Sequence, residues 1–495
     1  MKVFKVPLII RGEVIDDFTV EYPGRKGGVS FVTPDVNKYL KKLTTTPASL
    51  EDLYRISIDD ILDFMVEVGA RFNLESNPYV QEAFEISTLT SGMTEPVLRA
   101  VYSGFDKICE KSFLSEYVEA QVGRKYLESW VPVILADGRT FSMRAYGSRM
   151  VHAIAGNSPM CAFLTVLRNA VTRSDAIIKL PSNDPLTAVS LLRTMIDIDA
   201  DHPITHHASA AYWKGGDENI EARIYTPRNI EKIVAWGGFA SIKHITKYLQ
   251  PGIDLITLDP KHSASIIGKE GLASDATIQE IAWRAASDCG AFNQELCSNS
   301  RVIYVHCDAE DSDEMARLNQ FGKALYDSLQ KLPSTLSTPA KYRIPELEQQ
   351  INALVMDDDY YRVFQGAERC GAVIVSQTDE PVEFTAMLAC RTVNIVPIAD
   401  LADIVKRINS DTQTIGIYPA SLKESLRQQL GFQGAQHLID LGYMVYLDFV
   451  GPQDAVEVER RMLKWVKDIT IKTEIAAKPW EGKKSHDALL SGQLF

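Results

Sequence analysis

The stretch from Val151 to Tyr248 constrains the fold most, because strand-like and helix-like patterns alternate along it. Apolar runs that suit buried strands end near Gly156, Leu180 and Gly237, and each is followed by a helical pattern. A strand, a turn, a helix and a second strand form the βαβ unit, whose strands are parallel. The pattern therefore predicts an α/β protein with a parallel sheet and a ligand at the carboxyl ends of its strands. The usual dinucleotide-binding fingerprint, GxGxxG, is absent from this stretch.

A second feature is a cysteine that lies between two packed elements. A helical pattern ends at Cys289, Gly290 breaks it, and an apolar β-branched run begins at Val302, so Cys297 falls in an ordered loop. Loops held on both sides by packed structure often carry reactive groups. A cysteine is more often a small buried residue, and we expect that role for Cys289. For Cys297 we predict a catalytic nucleophile.

Length, charge and cysteine usage exclude several classes of protein. A chain of 495 residues exceeds a single hydrophobic core, and a net charge of −13 argues against binding nucleic acid or an anionic membrane. The seven cysteines show no CxxC spacing, so neither a disulfide framework nor a metal site is expected. No run of 18 uncharged apolar residues predicts a membrane span. We expect a cytoplasmic protein with reduced thiols.

The residues around the cysteine resemble a known nucleophile segment. Phe292-Asn293-Gln294-x-x-Cys297, followed by Ser300-Arg301, is similar to the FNQGQxC…SR pattern of the aldehyde dehydrogenase superfamily. The resemblance implies a Rossmann-like, NADP-binding domain with the N-terminal region (1–265), an α/β catalytic domain (266–450) and a C-terminal helix and tail (451–495). It also implies a small β-arm at about 131–146, where a hairpin with its turn at Asp137-Gly138 is predicted, packed against a partner subunit in a homo-oligomer.

The same resemblance implies roles for residues elsewhere in the chain. Asn157 corresponds to the amide that helps form the oxyanion hole, and Lys179 to the lysine that holds the adenosine ribose. Gly237 and Gly238 stand at the cofactor-phosphate turn, and Glu383 matches the glutamate that contacts the nicotinamide ribose. From the residues alone, Asn157 could equally be a helix cap, Lys179 a solvated strand end and Glu383 an exposed acid.

Two departures from the superfamily pattern bear on the reaction. Ser182 replaces a glutamate that bonds the ribose hydroxyls, which removes a carboxylate that would repel a 2′-phosphate, so NADP(H) is expected to be preferred. Thr257 stands in the register of the glutamate that activates hydrolytic water, although a shift of two residues brings Asp259 there instead. With a threonine at that position, hydrolysis of an acyl-enzyme should be poor.

Further segments resemble one branch of the superfamily, the long-chain fatty-acyl reductases, or acyl-protein thioester reductases, of bacterial bioluminescence. These segments are GNSP, KLPSNDPLTA, IVAWGG, FNQELC, PVEF and TQTIGIYP. The resemblance implies NADPH-dependent reduction of fatty acyl-CoA or acyl-protein to aldehyde through an acyl thioester on Cys297, with an acyl-protein synthetase and an acyl-transferase as possible partners. A CoA-acylating short-chain aldehyde dehydrogenase and a catalytically silent scaffold subunit remain open alternatives.

Patterns near the C-terminus predict further elements without evident chemistry. A last strand is expected over 444–450, a charged amphipathic helix over 456–468, and a polar tail from Trp480 to Phe495. His206, His207 and His262 are assigned no catalytic role, because a lone histidine is more often a structural hydrogen-bonding residue.

Overall fold

The computed structural model describes residues 2–24, 29–136, 140–446, 449–471 and Trp480. Its strands are, in chain order, β1 Lys2–Lys5, β2 Leu8–Ile10, β3 Glu13–Ile15, β4 Phe18–Pro23, β5 Val29–Pro34, β6 Val131–Ile134, β7 Thr140–Tyr146, β8 Arg149–Ala153, β9 Asp175–Lys179, β10 Ala208–Ala211, β11 Lys232–Trp236, β12 Asp254–Leu258, β13 His262–Ile267, β14 Ser300–His306, β15 Tyr361–Gln365, β16 Ala372–Ser376, β17 Thr392–Ile398, β18 Thr412–Tyr418, β19 His437–Asp440 and β20 Lys464–Asp468.

The α-helices are α1 Leu40–Leu43, α2 Ile58–Arg71, α3 Pro78–Thr90, α4 Glu95–Tyr102, α5 Phe105–Ile108, α6 Lys111–Gln121, α7 Arg124–Glu128, α8 Met160–Val171, α9 Thr187–Ile198, α10 Pro203–His206, α11 Glu218–Ile224, α12 Phe239–Thr246, α13 Asp275–Gly290, α14 Ser312–Gln330, α15 Pro345–Val355, α16 Leu401–Lys406, α17 Ala420–Gln433 and α18 Val458–Met462. Short 3-10 helices occur at Val36–Lys38, Pro47–Tyr54, Lys269–Leu272, Ala291–Gln294 and Thr385–Met387.

The predicted βαβ region forms the first of two seven-stranded sheets, with the order β12-β11-β8-β9-β10-β2-β3. The strands from β12 to β10 are parallel, and the hairpin β2-β3 extends the sheet antiparallel. Along β9, Ala176, Ile177 and Ile178 are each at most 2% exposed. Such continuous burial arises where helices cover both faces of a parallel sheet, so the predicted parallel sheet is confirmed.

The second seven-stranded sheet has the order β15-β16-β17-β14-β13-β18-β19 and is parallel except for the edge strand β15. The chain passes from the first sheet to the second between Leu258, at the end of β12, and His262, at the start of β13. Cys297 lies just before β14, a central strand of this sheet, and Gln413 lies on β18, which is separated from β14 by β13. The segment that carries the predicted nucleophile therefore leads into the centre of the second sheet.

The C-terminal segment differs from its predicted structure. The helix expected over 456–468 is only α18, and β20 then pairs antiparallel with β7 in a three-stranded sheet of order β20-β7-β6. Pairing with β7 and packing of Trp465 on Tyr126, with ring centroids 5.4 Å apart, outweigh the helical pattern of this short segment. The predicted strand over 444–450 is also wrong, since the described residues there form turns.

The β-arm predicted at 131–146 corresponds to β6 and β7, and β20 adds a third strand to it. The predicted turn residues Asp137 and Gly138 lie outside the described residues, as does the tail after Trp480. Pairing between Val131 and Met143 fixes the register of the hairpin. The arm thus pairs β6 and β7, which lie between β3 and β8 in the chain, with β20, which follows the last strand of the second large sheet.

Candidate active site

A cleft of about 1200 Å³ receives residues from both seven-stranded sheets. One side, here called the strand-end wall, consists of Lys179, Trp213, Gly237 and Gly238 at or just after the carboxyl ends of β9, β10 and β11. Another part of the lining, here called the cysteine wall, consists of Cys297, Gln413 and Asp454. A ligand at the carboxyl ends of the first sheet, as the βαβ pattern predicts, would therefore share one cleft with Cys297.

Lys179 is held inside the cleft by an aromatic ring and a buried acid. Its Nζ lies 5.4 Å from the centre of the Trp213 ring, a cation–π distance. Burial lowers the pKa of the Lys179 ammonium, and the nearby carboxylate of Glu221 opposes that change. Ser182 also lines the cleft, three residues after Lys179. The structure thus brings both predicted ribose-side residues to one end of the strand-end wall.

Glu221 organises this end of the cleft and was not predicted from the sequence. Its carboxylate is bonded by His244 Nε2 at 2.6 Å, Tyr248 Oη at 3.0 Å and Trp213 Nε1 at 3.3 Å. Burial alone would raise the pKa of Glu221, but the hydrogen bonds from His244, the Gly216 N–H and Tyr248, with the charge of His244, together hold it below its ordinary value. An ionised Glu221 fixes the His244 and Trp213 rings where both line the cleft.

Gly237 and Gly238 form the turn between β11 and α12, and Gly238 is the N-cap of that helix. A Cβ placed on Gly238 would meet no atom within 4 Å, so this backbone borders open space. The first residues of α12 also line the cleft. A helix N-terminus approached through an open glycine turn suits a phosphate group, because backbone N–H groups and the helix dipole both favour an anion there.

The turn that carries Cys297 is formed by the residues just before it, which are those that resemble the aldehyde dehydrogenase nucleophile segment. Phe292, Asn293 and Gln294 all have left-handed backbone angles, with φ of 52°, 56° and 62°. Three successive residues in this conformation are costly for L-amino acids and need compensating contacts. Asn293 Nδ2 donates to the Thr338 carbonyl at 2.7 Å, and Gln294 exchanges hydrogen bonds with the backbone of Thr392. Asn293 and Gln294 therefore shape the turn.

Two further side chains hold the cysteine itself in place. Asn299 Oδ1 accepts a hydrogen bond from the Leu296 N–H at 2.9 Å, while its Nδ2 donates to the carbonyls of Asp288 and Ala291. The Ser263 hydroxyl, from β13, donates to the Cys297 carbonyl at 2.7 Å. These contacts fix the backbone of the turn between α13 and β14, from which the thiol projects.

The Cys297 thiol is exposed to the cleft and touches polar groups from two other segments. Gln413 Nε2 lies 3.2 Å from Sγ, and the same nitrogen lies 2.5 Å from Asp454 Oδ1. The surrounding protein withdraws the thiol from bulk water, which raises its pKa, and the charge of Asp454 raises it further. The Gln413 amide and the backbone N–H groups of Cys297 and Ser298 lower it without cancelling the rise.

The other predicted site residues divide into those inside the cleft and one outside it. Asn157 lines the cleft, and its Nδ2 donates to the carbonyl of Glu295, two residues before Cys297, at 3.0 Å. Glu383 is exposed, follows β16, and is not among the residues that line the cleft. Asn157 therefore contacts the turn that carries Cys297, whereas Glu383 lies outside the cleft lining. The predicted ribose contact of Glu383 stays a prediction.

Two candidate positions for a hydrolytic base lie at the end of β12. Thr257 lies within β12 and does not line the cleft, whereas Asp259, two residues later, does. Leu258, the last residue of the strand, also lines the cleft. Of the two candidate positions, the one that borders the cleft therefore presents a carboxylate, one methylene shorter than glutamate.

Cys289 and His207 occupy the structural positions expected of them. Cys289 is fully buried in α13, with no exposed surface, and burial raises its thiol pKa well above the ordinary value. His207 is buried between the carboxylates of Asp175 and Asp52, both at 2.9 Å, and lies away from the cleft lining. Within the described residues, the cleft exposes Cys297 and keeps Cys289 out of reach of a substrate.

Sequence reasoning missed Gln413, Asp454 and the Glu221–His244 pair. Gln413 is 116 residues from Cys297 along the chain, and Asp454 is 41 residues further on. Gln413 lies in the strand pattern TQTIGIYP, which predicted the strand but not the contact. No local pattern distinguishes Asp454 from an ordinary surface turn, so only the tertiary structure reveals it.

Among the described residues, no cluster of three or more His, Cys, Asp or Glu side chains could hold a metal ion. In the same part of the chain, every helix is too short or too polar to cross a membrane.

Comparison with known proteins bears on both family and fold. The family model described as acyl-CoA reductase (LuxC) matches residues 53–465. The long-chain acyl-protein thioester reductase of Aliivibrio fischeri is 26% identical over 473 residues, covering 93% of this chain and 92% of the relative. The enzyme of the same name from Vibrio harveyi is 24% identical over 488 residues, covering 95% and 96%.

Solved structures extend the comparison to the fold. The lactaldehyde dehydrogenase of Escherichia coli superposes with a TM-score of 0.66 at 12% identity, covering 94% of this chain and 99% of that one. An NADP-dependent glyceraldehyde-3-phosphate dehydrogenase from Bacillus halodurans, complexed with NADP, gives a TM-score of 0.67 at 12% identity with the same coverage. The chain has the aldehyde dehydrogenase fold, as its nucleophile segment implied.

Proposed function

Because the chain belongs to the LuxC family of acyl-CoA reductases, we propose that it reduces long-chain fatty acyl thioesters to fatty aldehydes with NADPH, through an acyl thioester on Cys297. The observation that carries this proposal is the setting of the thiol. Cys297 is exposed to a cleft of about 1200 Å³, on a turn fixed from both sides, with Gln413 Nε2 3.2 Å from its sulfur.

The first step is attack of Sγ of Cys297 on the acyl carbonyl carbon. This forms the acyl thioester on the enzyme and releases the thiol of the donor. As negative charge develops on the acyl oxygen, hydrogen-bond donors aimed at it stabilise the transition state. We assign that role to the Cys297 backbone N–H and to Asn157, whose Nδ2 carries a second hydrogen besides the one given to the Glu295 carbonyl.

The strand-end wall fits a dinucleotide. The open backbone at Gly238 and the N-terminus of α12 suit its phosphates, and Lys179 suits its adenosine ribose. When bound, NADPH supplies the hydride that reduces the acyl group to the aldehyde. Ser182 leaves no carboxylate to repel a 2′-phosphate, and Lys179 supplies an opposing positive charge. These residues support a preference for NADPH over NADH.

An apolar acyl chain suits the lining of the cleft near the cysteine. Met160 and Leu164 of α8 lie on this lining with Leu296, Phe449 and Val450. Burial of a methylene group in such surroundings contributes about 0.8 kcal/mol. A fatty acyl chain therefore gains more from this cleft than an acetyl or propionyl group does.

We propose that the thioester on Cys297 is reduced rather than hydrolysed, although Asp259 rather than Thr257 lies in the cleft. The carboxylate of Asp259 is one methylene shorter than the glutamate found in aldehyde-oxidising relatives of the superfamily, and a general base must reach hydrogen-bond distance of its water. The ratio of fatty aldehyde to fatty acid released in the presence of NADPH measures this directly.

We also propose a homo-oligomer that acts in a reducing compartment, the cytoplasm, and takes its acyl group from CoA or from an acyl-protein partner. Ile134 on β6 is 74% exposed and Val466 on β20 is 41% exposed, so the arm offers apolar surface for a second copy. None of the seven cysteines, all of which lie in the described part of the chain, forms a disulfide, including the proposed nucleophile. Substitution Ile134→Lys should lower the molecular mass measured by light scattering without unfolding the chain.

The test of the proposed reaction is NADPH oxidation with a series of acyl-CoA donors from two to sixteen carbons. We expect kcat/KM to rise with chain length, with aldehyde as the product. Activity confined to acetyl-CoA or propionyl-CoA would defeat the long-chain assignment. Absence of activity with every donor, together with absence of acylation on Cys297, would instead favour a scaffold subunit.

A further inference from the structure

Asp454 is the charged group on the cysteine wall that the reaction described above leaves without a role. Gln413 Nε2 is 2.5 Å from Asp454 Oδ1 and 3.2 Å from Cys297 Sγ, so one amide nitrogen bridges the two. The distance between Asp454 Oδ1 and Cys297 Sγ is therefore at most the sum of these two hydrogen-bond lengths, and both residues line the same cleft. Such a gap is short enough for direct approach or for a single bridging water.

The backbone around Asp454 is built to aim its side chain. Gln453 and Val456 exchange two backbone hydrogen bonds, at 2.9 and 2.8 Å, so residues 453–456 form a tight turn. Asp454 and Ala455, at its centre, have φ of 50° and 60°. This turn type favours asparagine or aspartate first and glycine second, so Ala455 is strained. Strain retained at a cleft points to a functional constraint.

Buried side chains hold this turn in position. Arg168 Nη2 donates to the Gln453 side chain at 2.7 Å, and Arg168 Nε pairs with Glu459 at 2.6 Å. The side chains of Arg168 and Glu459 are only 4% and 2% exposed. Gln121 donates to the carbonyls of Phe449 and Gly451 just before the turn. Asp454 is thus a carboxylate on a preorganised support.

We propose that Asp454 is the proton acceptor and donor for Cys297. Its carboxylate takes the thiol proton before the Cys297 thiolate attacks the acyl thioester, and the resulting carboxylic acid gives that proton to the departing thiolate of the donor. One carbon–sulfur bond forms, one breaks, the proton returns to sulfur, and nothing is oxidised. This inference rests on the proposed function and names the residue that moves its proton.

The surroundings of Asp454 support this role. Burial raises the pKa of Asp454 above its ordinary value, while the Gln413 amide and the charges of Lys261 and Arg168 lower it and Asp259 raises it. A carboxyl whose pKa moves towards neutrality is better suited to take up and release a proton at neutral pH. Gln413, which touches Sγ, remains the group that orients the thiol.

The test compares two acyl donors that differ only in the leaving thiol. Acylation of Cys297 without NADPH is followed by intact mass, with myristoyl-CoA and with the myristoyl ester of nitrothiophenol, whose thiolate leaves without a proton. We expect Asp454→Asn to slow acylation by myristoyl-CoA about 100-fold and acylation by the aryl thioester less than about tenfold. Asparagine is favoured at this turn position, so the variant should fold.

Alkylation by iodoacetamide separates this role from a structural one. Loss of the Asp454 charge lowers the pKa of the thiol, so Asp454→Asn should be alkylated at pH 7 at least as fast as the wild type. Asp411→Asn, an exposed acid two residues before Gln413, is the matched control and should match the wild type in every assay. Equal slowing of both donors and of alkylation in Asp454→Asn would overturn the proposal.

Further outcomes are equally decisive. If Asp259→Asn, rather than Asp454→Asn, shows the loss that depends on the leaving group, Asp259 is the acid–base group and the inference is wrong. If the wild type itself forms no acyl-Cys297, the proposed function fails rather than the role of Asp454. Should Asp454→Asn not fold, Asp454→Ala takes its place: formate should restore its acylation by myristoyl-CoA at least tenfold, and a folded variant without this rescue would contradict the proposal.

Discussion

The two walls of the cleft are assembled in different ways. The strand-end wall comes from consecutive βαβ units, and three of its four residues follow strand ends within a single stretch of sequence. The cysteine wall takes Cys297, Gln413 and Asp454 from three segments that are far apart in the chain. Backbone and topology therefore define one wall, and individual side chains define the other.

This difference has a functional consequence. A wall built largely from backbone and strand ends tolerates single substitutions, because each side chain adds one contact to a bound dinucleotide. The cysteine wall consists of the thiol of Cys297 and two side chains close to it, so we expect the chemical step to depend on each of the three. We therefore expect substitutions on the cysteine wall to lower kcat, and substitutions on the strand-end wall mainly to raise the KM for NADPH.

The largest effect is expected for Cys297→Ser. A serine hydroxyl is a far weaker nucleophile without a strong base, so NADPH oxidation with myristoyl-CoA should fall at least about 10³-fold, as for other covalent nucleophiles. Cys289→Ser, eight residues earlier and fully buried, is the matched control and should keep turnover. Labelling by acyl-CoA that persisted in Cys297→Ser and vanished in Cys289→Ser would reverse the assignment.

A smaller but still large loss is expected for Gln413→Leu. Leucine is of similar size and removes the amide donor that lies 3.2 Å from Sγ, which should raise the thiol pKa further. Loss of one such donor lowers kcat about 10²-fold, and alkylation of Cys297 at pH 7 should slow as well. The KM for NADPH should stay the same. A rise in the KM for NADPH with unchanged kcat would contradict the assignment of Gln413 to the chemical step and the distinction between the two walls.

On the strand-end wall, Ser182→Glu should change cofactor choice without affecting acylation. The new carboxylate would repel a 2′-phosphate, so the KM for NADPH should rise about tenfold, equivalent to about 1.4 kcal/mol, while that for NADH stays within twofold. Ser182→Ala is the control, because it removes the hydroxyl without adding charge. Unchanged discrimination between NADPH and NADH in Ser182→Glu would place the 2′-phosphate elsewhere.

The smallest effect concerns the support beneath the cysteine wall. Asp288 accepts hydrogen bonds from the N–H groups of Gly442 and Met444, and burial raises its pKa to about 7. Because the folded carboxyl binds its proton more tightly than the unfolded one, its stabilising contribution is complete below about pH 4 and is lost as pH rises through about 7.

Thermal unfolding monitored by circular dichroism tests this linkage. The Tm should fall by about 1 to 2 °C between pH 6 and pH 8.5 in the wild type. Asp288→Asn cannot ionise and should show a flatter dependence. An identical pH dependence in both proteins would show that Asp288 does not titrate in this range.

The contrast between the walls also explains what could be predicted from the sequence. Periodicity of two in strands and 3.6 in helices is local, so the parallel sheet and its strand ends near Lys179 and Gly237 could be predicted from the sequence. The cofactor roles of Lys179, Gly237 and Gly238 came from the family resemblance and stay predictions. Cys297 could be proposed as the nucleophile because the residues that carry the resemblance adjoin it in sequence. Long-range contacts carry no such signal, which is why Gln413 and Asp454 were missed.

The errors have the same origin. The segment Lys464–Asp468 was predicted as helix because its pattern was weighed without β7, with which it pairs. The choice between Thr257 and Asp259 stayed open because the turn after β12 carries no strong local marker, and of the two only Asp259 lines the cleft. Tertiary structure decides both cases, and a single sequence does not contain it in readable form.

The most direct measurement of the central claim is a single turnover observed in two stages. The enzyme is first mixed with one equivalent of myristoyl-CoA alone, and peptide mass spectrometry should find the myristoyl group on Cys297. NADPH is then added, and the label should disappear as an equal amount of myristoyl aldehyde forms. Label on another residue, or its release as myristic acid, would contradict the account.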